Sequence, residues 1–295
     1  MWHWWKIKNS WYNWTVGQIV IWMWDDSLKL SNESKTLFIP LLGKALMSKD
    51  KLFLYDSKAE EIVSAIDYNF DSLKQSKWLS MFMSVRALII DELCNKYILE
   101  HPDSTIIHLG CGLDSRCLRV NQNYKKWFDI DYEEVIEIRK EFYDEDNKHK
   151  MIGSSVTDYK WLEQIANSNN ILIVAEGLTM YLSEDAIKEL IEQIENKFGD
   201  VNLIFDAYSK KGVKASRIKN PVNQMNAEVK YGIDTPEDFL KLNDDLEYIN
   251  TYKIRKEDNN LHGLTKFIFN NLYCGRISQS IYKIYEFNLK RKIKK

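Results

Sequence analysis

The sequence is poor in the residues that interrupt a chain. It has four prolines and eleven glycines in 295 residues, with no low-complexity stretch. This argues against linker-joined modules and for one continuous fold. Cysteine is also scarce. Cys94, Cys111, Cys117 and Cys274 form no Cys-x-x-Cys pair and stand near no histidine cluster, which argues against a zinc site and a disulfide framework. No metal is expected, and reduced thiols in a cytoplasmic protein are. Long apolar runs are missing too. The longest near the N-terminus, Ile19 to Trp24, is far too short to span a bilayer, so no stable membrane insertion is expected. Charge of one sign is not in excess: the formal net charge is -2. No nucleic-acid partner is therefore expected. The basic tail Lys290 to Lys295 is the local exception and reads as a solvated terminus.

The chain is rich in tryptophan at one end. Trp2, Trp4, Trp5, Trp11, Trp14, Trp22 and Trp24 crowd into an arm ahead of residue 34. Such an arm suits packing on a folded domain, and also an interfacial membrane contact. No small-residue cleavage site follows an apolar run, so a signal peptide is not expected.

From residue 34 the pattern predicts helices first. Residues 34–47 read as a short helical segment broken at Pro40, Ser57 to Phe70 as a helix, and Trp78 to Glu100 as a longer one ended by His101-Pro102. Strand and helix then alternate. Thr105 to Leu109, Trp127 to Ile130, Met151 to Gly153, Ile171 to Ala175 and Val201 to Phe205 read as strands. Between them, Glu133 to Tyr143 reads as helical, and a helix opens at the Ser183 cap and ends at Gly199. Further on, a short helix is expected over Pro236 to Leu242, a strand at Leu246 to Asn250, a helix at Gly263 to Tyr273, and an edge-proximal strand at Ser280 to Leu289. The alternation predicts an α/β fold, doubly wound around a mostly parallel sheet.

Such sheets bind ligands at the carboxyl ends of their strands. Those positions hold Gly110-Cys111-Gly112, Asp131, Ser154-Ser155-Val156 and Glu176-Gly177. Gly110 and Gly112 allow a tight turn and close backbone approach. Asp131 stands where an acid accepts from both hydroxyls of an adenosine ribose. Two cofactors fit this pattern, S-adenosylmethionine (SAM) and NAD. A dinucleotide loop wants a third glycine at the position of Ser115, and the stretch Arg116-Cys117-Leu118-Arg119 is a poor start to a long phosphate-binding helix. SAM has no pyrophosphate and tolerates that loss, so the pattern favours SAM and keeps an NAD-binding oxidoreductase as the alternative.

Several segments resemble one family in order. Leu109 to Arg116 (LGCGLDSR) is similar to the LGCGLDTR signature of the leucine carboxyl methyltransferase family, in particular its bacterial, tetracenomycin-like O-methyltransferases. Thr36 to Leu41, Lys58 to Val63, Phe128 to Ile136 and Ala175 to Leu182 (AEGLTMYL) resemble it as well. The resemblance implies a class I SAM-methyltransferase, Rossmann-like fold with an N-terminal helical lid. It divides the chain into an arm (1–33) and one methyltransferase domain (34–295), with lid (34–103), cofactor core (104–208) and acceptor side (209–295). It implies SAM as cofactor, S-adenosylhomocysteine as product and O-methylation of a small-molecule acceptor; the absence of a convincing base in the sequence favours a carboxylate or acidic hydroxyl oxygen. The alternative acceptor is a protein C-terminal carboxylate. By the resemblance Gly110, with Cys111 and Gly112, would approach the methionyl part. Asp131 would hold the ribose, and Ser155 and Val156 would flank the adenine. Glu176 would lie near the amino group, and Arg86 and Lys44 would meet the carboxylate. Ser155 departs from the acid usual in the family. His108 reads as a core histidine, Cys111 as a small loop residue rather than a nucleophile, and no catalytic base stands out.

Overall fold

Apolar runs ended by glycine or acid become the middle of a seven-stranded sheet in a computed structural model that describes residues 30–216, 227–254 and 261–291. The strands are β1 (Thr105–Leu109), β2 (Lys126–Asp131), β3 (His149–Gly153), β4 (Ile171–Ala175), β5 (Val201–Tyr208), β6 (Leu246–Tyr252) and β7 (Tyr282–Leu289). Their order is β3-β2-β1-β4-β5-β7-β6. The first five are mutually parallel, and β7 runs antiparallel between β5 and β6. The order reverses between β1 and β4, and this is the switch point where α/β sheets open a crevice. All residues of β1 and of β4 are buried, as strands covered on both faces require.

The helices are α1 (Phe38–Lys49), α2 (Ser57–Ala65), α3 (Lys77–Glu100), α4 (Arg116–Arg119), α5 (Glu133–Arg139), α6 (Glu184–Phe198), α7 (Lys210–Ser216), α8 (Pro236–Leu240), α9 (Gly263–Tyr273) and α10 (Arg276–Ile281). Two apolar layers sandwich the sheet. Ile106 packs with α1, α3 and α5 on one face, while Ile107 and Leu109 pack with α6 and α8 on the other. The period-2 alternation of β1 is what sends neighbours to opposite faces. Ser183 caps α6 by accepting from Ala186 N, and Gly199 at φ 74° ends it. Its stripe Ile187, Leu190, Ile191 and Ile194 is buried.

Several details differ from the sequence expectation, among them the start of β7 at Tyr282, since Ser280 and Ile281 belong to α10. Pro40 does not break the first helix, because it falls in the first turn of α1, where its missing N–H is no loss. α2 stops at Ala65 instead of reaching Phe70. The chain turns extended there so that Tyr68 and Phe70 can pack on Phe38, with ring centroids 4.1 and 5.6 Å away. α5 stops at Arg139, four residues early, and Tyr143 instead donates its hydroxyl to Leu113 O at 3.0 Å. β5 runs on to Tyr208 because it pairs with β7 over its whole length, from Val201↔Leu289 to Tyr208↔Tyr282. β7 lies one strand in from the edge, which β6 forms. Among the described residues no helix is long and apolar enough to cross a membrane. Residues 1–29, which hold every tryptophan of the N-terminal arm, and residues 292–295 of the basic tail lie outside the described residues.

Candidate active site

The turn after β1 is built around left-handed glycines. Gly110 has φ 63° and Gly112 φ 51°, values that disfavour any side chain. Gly110 and Cys111 both donate N–H to Ile130 O on β2, at 2.8 and 3.2 Å. Asp131, at the end of β2, accepts from Gly112 N at 2.7 Å and from Tyr132 N at 2.8 Å. Burial pushes the Asp131 carboxyl up to about 6, against the pull of those two amides. α4, which follows the turn, is only four residues long. Ser115, which stands where a dinucleotide fold has its third glycine, donates its hydroxyl to Asp56 Oδ1 at 2.6 Å.

Behind this turn runs a chain of buried charges. Arg86, from α3, meets Glu176 Oε1 through Nη2 at 2.7 Å. The other Glu176 oxygen accepts from Arg116 Nη2. Burial would raise the Glu176 carboxyl, but the guanidiniums of Arg86 and Arg116 overcome it and hold the group at about 2. Arg116 Nε also pairs with Asp91 at 2.7 Å. Arg119 joins Asp91 at 2.7 Å and both Asp56 and Asp114 at 2.8 Å. Lys44, 2% exposed, closes the chain with Nζ 2.5 Å from Asp114 Oδ2. Burial works against the Asp114 charge, yet Arg119, Lys44 and Arg116 together hold its carboxyl well below the usual range.

A second hub is Asp129, in the middle of β2. It accepts from Trp127 Nε1 at 2.8 Å and pairs with Arg139 Nη2 at 2.6 Å. His149 Nε2 stands 2.6 Å from it and His108 Nδ1 3.3 Å. Arg139 then donates to Gly112 O at 3.1 Å and Asp114 O at 2.7 Å, so the hub braces the glycine turn. Cys117, Asp129 and His149 bring possible metal-ligand atoms close together. The Arg139 guanidinium, 3.7 Å from Cys117 Sγ, already supplies a cation there. Burial lowers the His108 pKa, which suits a neutral core histidine. Burial also pushes the Cys111 thiol well above its usual range, so it is no nucleophile.

One cavity at the strand ends is lined by every residue singled out in the sequence: Lys44, Arg86, Gly110, Cys111, Gly112, Asp131, Ser155, Val156 and Glu176. Ser155 Oγ lies 2.9 Å from Thr157 Oγ1. The same cavity is also lined by Leu37, Ile39, Pro40 and Leu41 at α1, Leu79 and Met83 of α3, and Met180, Tyr181 and Tyr208. Asp56, Asp91, Asp114, Arg116, Arg119, Asp129, Arg139, Asp206 and Tyr282 are the residues that sequence reasoning missed. One signal was visible: Asp129 is an acid set inside an apolar strand.

The charged groups that line the cavity suit a zwitterion. At Gly177, φ 69°, a Cβ would sit 3.7 and 3.8 Å from Arg86 Nη1 and Nη2, so the missing side chain leaves that guanidinium edge open to the cavity. Glu176 and Lys44 offer an acid and a second base beside it. Asp131 keeps a lone pair on each oxygen for hydroxyl donors. These residues fit SAM.

Comparison with known proteins agrees. Residues 28–195 match the model of the leucine carboxyl methyltransferase family. The chain is 31% identical over 213 residues to the tetracenomycin polyketide synthesis O-methyltransferase TcmP of Streptomyces glaucescens, covering 72% of this chain and 79% of that one. It is 30% identical over 188 residues to the S-adenosyl-L-methionine-dependent methyltransferase dpfgK of Gibberella zeae, covering 58% of this chain and 63% of that one. A DUF574 family protein from Streptomyces avermitilis shares the fold, with a TM-score of 0.57 at 9% identity, over 79% of this chain and 95% of that one. The glycine turn, the acid after β2 and the ordered family match lead to one conclusion: the chain belongs to the leucine carboxyl methyltransferase family and is a SAM-dependent methyltransferase.

Proposed function

We propose that the chain methylates a carboxylate or acidic hydroxyl oxygen of a small molecule. The observation that carries this reading is a single cavity whose wall combines Gly110, Asp131 and Glu176 with the apolar and aromatic side chains of Met83, Tyr181 and Tyr208. When bound, SAM supplies an electrophilic methyl on a sulfonium. In this reading Asp131 holds the ribose hydroxyls, and Ser155 and Val156 flank the adenine. Gly110, Cys111 and Gly112 lie along the methionyl chain. Arg86 and Lys44 meet its carboxylate, and Glu176 meets its ammonium.

The chain's own work is then chiefly alignment. Holding an acceptor oxygen in line with a reactive centre is worth roughly 7–11 kcal/mol. An acceptor that is already ionised needs no base. His108 lines the cavity but is occupied between Asp129 Oδ1 at 3.3 Å and Arg116 Nη1 at 3.2 Å. A low-pKa acceptor fits that environment better than an alcohol. TcmP, named as an O-methyltransferase of polyketide synthesis, supports oxygen as the acceptor atom and a small molecule as its carrier.

The test is turnover of methyl-labelled SAM with a panel of aromatic and aliphatic acids, phenols, amines and a peptide carboxylate. A base-labile ester, or an ether from an acidic phenol, is expected. Label found only on nitrogen, or only on the peptide, would refute the reading.

A further inference from the structure

Arg86 is held from two sides. Its Nε and Nη2 lie 2.9 and 2.7 Å from Oε1 of Glu176. Its Nη1 lies 3.3 Å from Asp206 Oδ2 and 3.4 Å from the Tyr282 hydroxyl. Asp206 stands near the end of β5 and Tyr282 opposite Tyr208 at the start of β7. Neither belongs to the wall of the cavity, and Asp206 is fully buried. The Tyr282 hydroxyl donates to Asp206 Oδ2. The other Asp206 oxygen accepts from Gly177 N at 2.6 Å.

One carboxylate therefore fixes two things at once: the side of the guanidinium turned away from Glu176, and the backbone of the glycine that leaves its end-on edge uncovered. A guanidinium has planar, directional donors. With Nε and one side of Nη2 committed to Glu176, and Nη1 steadied by Asp206 and Tyr282, the Nη1–Nη2 edge is left on the side of Gly177, which lines the cavity together with Arg86.

We infer that Asp206 and Tyr282 are positioning residues that aim Arg86 at the carboxylate of the bound cofactor. The inference rests on the proposed placing of the cofactor's amino-acid part. Asp206 and Tyr282 touch neither cofactor nor acceptor. Their effect reaches the ligand only through the orientation of Arg86 and Gly177. It is therefore specific to ligands that carry the carboxylate.

The experiment compares two ligands by calorimetry. S-adenosylhomocysteine has the amino-acid part with its carboxylate, and 5′-methylthioadenosine keeps the adenosine and thioether but lacks both the carboxylate and the ammonium. Wild-type protein should bind the first more tightly. Asp206→Asn should weaken S-adenosylhomocysteine about tenfold or more, the scale of a charge-assisted hydrogen bond, and leave the 5′-methylthioadenosine Kd unchanged. Tyr282→Phe should act in the same direction to a smaller extent, and it carries the test alone if Asp206→Asn does not fold. Equal weakening of both ligands, or no change in either, overturns the inference and reduces the pair to a structural role. Equal wild-type affinity for the two ligands overturns the carboxylate contact itself. Wild-type protein that binds neither ligand overturns the reading of the cavity on which the inference rests.

Discussion

Gly112 donates its backbone N–H to Asp131 Oδ2 across 2.7 Å, joining the turn after β1 to the acid after β2. The two parts of the adenosine-binding pattern are thus one hydrogen-bonded unit. A change at either end disturbs the other.

Asp131 should make both stability and cofactor affinity depend on pH, with opposite signs. Its carboxyl sits at about 6 in the fold, above the roughly 3.9 of an exposed aspartate. Between these values the folded chain binds the extra proton. This contribution to stability is present at low pH and lost as pH rises through about 6. In the proposed placing of the cofactor the ribose hydroxyls donate to the ionised form of Asp131, so SAM affinity should fall as pH drops below about 6. Asp131→Asn should remove both slopes and weaken SAM binding about 10- to 100-fold. Thermal unfolding and SAM titrations at several pH values check this. An unchanged affinity profile in the variant would count against the ribose contact.

Glu176 works in the other direction. Burial opposes its charge, but Arg86 and Arg116 hold it at about 2, below the roughly 4.3 of a free glutamate. Its contribution is present above that free value and lost as pH falls toward 2. Glu176→Gln leaves two buried guanidiniums undercompensated and should cost about 3–5 kcal/mol. Urea unfolding at neutral pH gives the size. Unfolding between pH 5 and pH 2 should show a shallower loss in the variant.

Lys44→Met should cost less, about 1.5–3 kcal/mol. Asp114 loses Lys44 but keeps Arg119 at 2.8 Å and Arg116 at 3.8 Å. The damage should concentrate where α1 meets the glycine turn, and limited proteolysis would reveal it between α1 and α2. A loss as large as that of Glu176→Gln would mean the arginines do not share the load.

Gly110→Ala combines two penalties. The backbone is left-handed at φ 63°, and a Cβ would lie 3.1 Å from Leu178 Cδ1. The conformational part alone is about 1–2 kcal/mol. A second change, Leu178→Ala, removes the Cδ contacts but keeps Leu178 Cβ at 3.3 Å, so it should recover part of the contact penalty and none of the conformational one. Denaturant midpoints of the single and double variants separate the two.

The strands at the centre of the sheet were readable because burial on both faces leaves a plain apolar run. Thr105–Leu109 and Ile171–Ala175 have the bounds the pattern predicts. α9 is equally well bounded at Gly263–Tyr273. The tails of α2 and α5 were not readable. Their ends are set by partners distant in sequence, Phe38 for Tyr68 and Leu113 for Tyr143. The same distinction divides the site. Gly110, Asp131 and Glu176 stand at strand ends, where position alone marks them. Asp91, Arg119 and Asp56 lie on separate helices or turns, and their pairing comes only from the three-dimensional path. In a chain that is 28% charged, one buried aspartate looks like any other.

Asp56 has a further consequence. It caps α2 through Ala59 N, and it also accepts from Ser115 and Arg119 next to the glycine turn. Asp91 on α3 neutralises Arg116 and Arg119 in the same place. A shortened chain starting at residue 104 would keep every strand and lose these acids, along with Lys44 and Arg86. Arg116 and Arg119 would keep Asp114 and Glu176 but lose both Asp91 and Asp56 as partners, and the sheet face packed against α1 and α3 would be bared. Designers seeking a minimal catalytic unit cannot obtain one by trimming this protein from its front, because the ion-pair partners that brace the glycine turn are shared between the two halves.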